Sequence, residues 1–144
     1  MKRVVILFWF TIVLGFVVSP VAIIGVTAAK GTPFTSAASE WFGNLFRLGF
    51  NEFLIALIGG LPFSGAAVFS LFHLSAEQAP RGRWAGIAGA LGAGIAMSLW
   101  IHISILTSRS STAGIGFLLL PFAILFVMPI GYLAGRLIAK PRAT

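Results

Sequence analysis

The stretch WAGIAGALGAGIAMSLWIHISIL, residues 84–106, runs for 23 positions without Asp, Glu, Lys or Arg. A helix needs about 20 such residues to cross the hydrocarbon of a bilayer, and in lipid a single segment satisfies its own backbone only as a helix. From Ala85 to Ala96 every residue except Ile87, Leu91 and Ile95 is Gly or Ala. Spaced by four, those three form one ridge and leave the other faces thin. Thin faces let helix backbones approach closely, which is how helices gain packing energy among lipid tails as apolar as leucine. The segment is therefore expected at the centre of a bundle or at a homodimer seam. The row Gly86, Ala90 and Gly94 is its expected packing face.

Outward from it lie three more uncharged runs, Val4–Ala29, Phe53–Phe72 and Ala113–Gly135. The reading is an all-α integral membrane protein with four transmembrane helices in a compact antiparallel bundle. It forms a single domain over residues 1–144. The first run follows Met1-Lys2-Arg3 like a signal peptide, but a signal core spans roughly 7–15 residues, so an uncleaved anchor is expected. Bulky on all sides, this span is expected to face lipid and to bend at Ser19-Pro20. Gly59, Gly60 and Pro62 predict a bend in the second span.

The net charge is +7, yet its distribution does not suit nucleic acid. Lys2, Arg3, Arg81, Arg83, Arg136, Lys140 and Arg142 fall on one side of a four-span chain, and Lys30, Arg47 and Arg109 on the other. Positive residues favour the cytoplasmic side, so both termini are expected in the cytoplasm of a bacterial inner-membrane protein. With no cysteine, disulfides, thiolate metal sites and cysteine nucleophiles drop out.

The loop Lys30–Asn51 is not uniformly polar. Gly31-Thr32-Pro33 reads as a turn. Ser39 offers an N-cap, and Trp41, Phe42, Leu45 and Phe46 share one helical face. A short interfacial helix over residues 39–49 is expected, with Trp41 at headgroup depth. Trp41, Phe42, Phe46 and Arg47 are the candidate partner contacts, because aromatic residues and Arg dominate interface hot spots.

One polar constellation stands out: Glu52, Ser98 and His102. Counted from the link near Gln78, Glu52 and His102 reach similar depth near the outer surface. Glu52, Ala56, Gly60 and Ser64 form one spacing-four row, and Gly86, Ala90, Gly94, Ser98 and His102 form another. Close packing of those rows would bring Glu52 to His102. The plainer roles are a carboxylate at a helix start and a histidine bonded to a carbonyl. His73 lies at the inner end of the second span, away from this site.

Absent residues narrow the function. The two histidines lie on opposite sides, so one chain does not hold a bis-histidine haem. No ligand set for a metal, no nucleophile elbow and no phosphate loop is present, so no cofactor and no enzyme activity is expected. Coupled transport usually needs a carboxylate near the midplane, and Glu40, Glu52 and Glu77, the three acidic residues, all lie outside it. The expectation is a protein that acts by binding another membrane protein. Its roles would be immunity against a membrane-acting toxin or service as an accessory or assembly subunit. In size and span count it resembles the immunity partners of pore-forming colicins. Membrane lipid surrounds it, and a homo-oligomer is possible by the thin faces of residues 84–106. The alternative is a small homo-oligomeric channel or transporter, with Glu52, Ser98 and His102 lining a periplasmic vestibule.

Overall fold

The structure, a computed structural model, describes residues 2–46, 50–75, 79–108 and 115–139, without the side chains of 50–52. Five helices follow in chain order: α1 (Lys2–Ala29), α2 (Phe34–Phe46), α3 (Phe50–Leu74), α4 (Arg81–Thr107) and α5 (Ile115–Ile138). All but α2 are long and apolar enough to cross a membrane. At a rise of about 1.5 Å per residue each of the four exceeds the ~30 Å hydrocarbon thickness.

α4 and α5 make the most extensive contact, and α1 against α3 the next. The α4–α5 seam is built from small residues. A Cβ added to Gly89 would fall on the Gly131 carbonyl, and one added to Gly135 on the Ala85 carbonyl. Above and below, Gly86 lies under the Tyr132 ring and Gly94 beside Met128 and Ile124. Rising numbers on α4 meet falling numbers on α5, so the pair is antiparallel. Gly86, Ala90 and Gly94 are buried.

The α1–α3 seam follows the same logic. Gly15 leaves room for Phe63, whose Cβ would lie 2.6 Å from a Cβ at position 15. Gly59 faces the Ser19 hydroxyl, and a Cβ added to Gly60 would lie 3.3 Å from the Phe16 ring. Val4, Thr11, Gly15, Val18 and Ala22 are buried along one side of α1, while Val5, Ile6, Trp9 and Val13 are exposed. The first span therefore combines an apolar outer side with an inward stripe of small residues, and it also meets α4 and α2. α1 runs through Pro20 and α3 through Pro62 as continuous helices.

Two expectations need correction. The spacing-four rows of the second and third spans do not pack on each other. Gly60 belongs to the α1 seam and Gly86 and Gly94 to the α5 seam, while α3 and α4 touch only sparsely. The short helix is not capped by Ser39: α2 begins at Phe34, and Ala37 N–H donates to the Pro33 carbonyl at 2.9 Å. The local reason is the turn before it. Gly31 has φ +103°, Gly31 N–H bonds Ala28 O at 3.0 Å and Thr32 N–H bonds Thr27 O at 3.4 Å. This Schellman pair ends α1, and Pro33, whose fixed φ suits a helix start, directly precedes α2, which begins at Phe34, five residues before Ser39.

Candidate functional site

Three groups of side chains carry the chemistry of the described residues. The first is a polar pair toward the C-terminal end of α4. His102 is fully buried, and its Nδ1 lies 2.7 Å from the Ser98 carbonyl and 3.5 Å from Ser98 Oγ. The carbonyl accepts, so Nδ1 carries the proton in that bond. Nε2 is buried without a partner among the described residues, and the ring meets Phe117 edge-on at 5.4 Å. A histidine one turn beyond a serine thus returns its hydrogen bond to its own helix backbone. Glu52 stands in the first turn of α3, and its side chain lies outside the described residues. The row pairing that would have carried Glu52 to His102 is not formed.

The second group is α2. Trp41 is buried with Ala37 against Ile24 of α1, and its indole N–H has no described partner. Phe42 and Phe46 are 48% and 80% exposed. The face expected to be shared by four aromatic and aliphatic residues is therefore split. Trp41 anchors α2 to the bundle, while the two phenyl rings project beside it. Arg47 lies outside the described residues. Nearby, the Lys30 ammonium donates to the Leu106 carbonyl, one of the unpaired carbonyls at the C-terminal end of α4. A cation there also complements the helix dipole.

The third group was not anticipated from the sequence. At the opposite end of the bundle, His73 Nε2 and Tyr132 Oη are 2.5 Å apart. Phe69 stacks on the His73 ring at 4.9 Å with planes 17° apart. Arg83 Nη1 donates to the His73 carbonyl at 3.2 Å, and the Arg136 guanidinium lies 5.7 Å from the Tyr132 ring centre. Two aromatic rings, an imidazole and two guanidinium groups from α3, α4 and α5 thereby converge. The signal in the sequence was Tyr132, the one tyrosine of the chain, four residues before Arg136 on α5. Its partner on α3 is visible only in three dimensions.

Below this cluster an apolar cavity of about 590 Å³ runs between α3, α4 and α5. Among the described residues no three His, Cys, Asp or Glu side chains come together to hold a metal ion. Comparison of the chain with family models, curated proteins and solved structures gives no match.

Proposed function

We propose that this chain is a non-catalytic protein of the bacterial inner membrane that acts by binding another membrane protein through α2. The observation that carries the reading is the split face of α2. Trp41 holds the helix on α1, and Phe42 and Phe46 stand exposed on a short, fixed platform. Ordered aromatic groups are favourable contact residues because little side-chain freedom remains to be lost on binding. Immunity against a membrane-acting toxin and a subunit role in a larger complex both use such a surface. Lys2, Arg3, Arg81, Arg83 and Arg136 favour an arrangement with both termini in the cytoplasm and α2 on the periplasmic side.

The channel alternative draws less support from the geometry. A vestibule needs its polar groups open to water, whereas His102 and Ser98 are 0% and 1% exposed. What favours self-association is an exposed small-residue row on α4, Ala88, Gly92 and Ala96.

The test is gentle purification from the native membrane, comparing the wild-type chain with Phe42→Ser/Phe46→Ser. A stoichiometric membrane partner or toxin that is lost from the double variant, with insertion and stability unchanged, supports the reading. A partner retained by the double variant removes α2 as the docking surface. A homo-oligomer with no other protein moves the function to the channel class.

A further inference from the structure

The cavity between α3, α4 and α5 is lined by Pro62, Gly65, Leu91, Met128 and similar groups, and its polar side chains are few. One, Ser70, already donates to the Ala66 carbonyl at 2.7 Å. A molecule filling it must therefore be apolar along its length. The cavity opens sideways. Phe69, Leu125 and Leu133 line it and are nonetheless 50%, 52% and 59% exposed on the outer surface of the bundle. In a membrane that surface meets hydrocarbon, so the entrant comes from the bilayer. At a share of about 30 Å³ per water-sized group, 590 Å³ holds on the order of twenty such groups, comparable with one acyl chain.

One end of the cavity is defined by charge. Phe69 and Tyr132 close it, His73 sits on both rings, and Arg83 and Arg136 stand beyond them. Glu77, the one acidic residue in the link between α3 and α4, lies outside the described residues. Among the described residues the charged side chains of that end are all cationic, and cations between helices at a membrane surface recognise anionic headgroups. An apolar body opening to lipid with one basic mouth matches a single kind of occupant. We infer that this groove holds one acyl chain of an anionic phospholipid, with its phosphate between Arg83 and Arg136 and the Tyr132–His73 pair beneath it. The inference is independent of the role of α2, which lies at the other end of the bundle.

Gly65 provides a clean variant, because a Cβ built there meets nothing within 4 Å. Gly65→Leu adds bulk to the groove wall at a position where the Cβ itself displaces no neighbour. The probe is vesicles of equal parts phosphatidylglycerol and phosphatidylcholine. Protein extracted from them is read by native mass spectrometry for lipid still bound. Wild type should retain one phosphatidylglycerol in preference to phosphatidylcholine. Arg83→Gln/Arg136→Gln should lose that preference by about fivefold per guanidinium, on the order of thirtyfold for the pair. Gly65→Leu should lose the retained lipid altogether. A second readout needs no variant: phosphatidylglycerol with a photoreactive group in its acyl chain should label the stretches around Phe69 and Leu133. Preference that survives the double arginine variant, or labelling spread evenly over the outer helix faces, overturns the inference. So does a wild-type dimer that Gly65→Leu converts to monomer, since the occupant is then a second copy.

Discussion

Replacing Gly89 by alanine tests the α4–α5 seam with a single methyl group. The added Cβ falls on the Gly131 carbonyl oxygen, well inside van der Waals contact. The obstacle is backbone, so no side chain can rotate away and the helices must part, by about 1 Å. A gap of that size forfeits a quarter to a half of each dispersion contact, itself worth about 0.1–0.2 kcal/mol. Taken over ~50 atom pairs, as many as one buried leucine makes, at ~0.15 kcal/mol each, the loss is about 2–4 kcal/mol. Alanine returns up to about 1 kcal/mol in helix propensity. The net expectation is a destabilisation of about 1–3 kcal/mol. Gly92 supplies the control on the same helix, because a Cβ there meets nothing within 4 Å. Gly92→Ala should be neutral or slightly stabilising. Reversible unfolding of both variants in mixed micelles gives the comparison directly. Equal stability of Gly89→Ala and Gly92→Ala would refute the close backbone crossing.

Gly131→Ala meets the Gly89 carbonyl from the other side, and because both changes force the same separation, the double variant should cost less than the sum of the two, measured in the same titration. Gly94→Ala should be milder than Gly89→Ala, since its Cβ meets the flexible Met128 Cε at 2.6 Å; Gly94→Leu should cost about 1–3 kcal/mol by overpacking, read as lost stability or altered assembly. Ser19→Ala removes a buried hydroxyl that has no described partner and should leave stability unchanged or raised by up to about 1 kcal/mol; a clear loss on unfolding would show that the hydroxyl is bonded. Tyr132→Phe breaks the bond to His73 and should cost about 0.5–1.5 kcal/mol, a change that hydrogen exchange at the α3 C-terminus can follow.

The four long helices were legible because each apolar run is long enough on its own to need no tertiary information. α4 extends three residues before the expected run and one beyond it, to Arg81 and Thr107. Charged residues can remain helical while reaching to the surface, so apolar boundaries understate helix boundaries. Gly86, Ala90 and Gly94 stood out in the sequence because glycine and alanine repeat at spacing four there, and in the structure the three are buried. Their partner was not legible. A helix with several thin faces does not state which neighbour takes which face, and here α5 took the row assigned to α3. The seam itself belongs to Gly89, adjacent to that row, against the Gly131/Gly135 pair. The start of α2 was misplaced because Ser39 was weighed as a cap without the turn geometry of Gly31 and Pro33. The His73–Tyr132 contact joins residues 59 apart, and no local pattern encodes such a separation.

The two extensive seams divide the molecule in a way that bears on its manufacture. α1 with α3, and α4 with α5, are each joined by backbone-close small residues, while α3 and α4 share few contacts although they are consecutive. The link between Leu74 and Arg81 connects the two helix pairs in sequence. Each pair can settle in the membrane as a helical hairpin before the other emerges from the ribosome. A break introduced in that link would then leave two polypeptides able to find each other in the bilayer. The assembly would depend on the weaker contacts between the pairs, including α1 on α4 and the Lys30 clasp on Leu106.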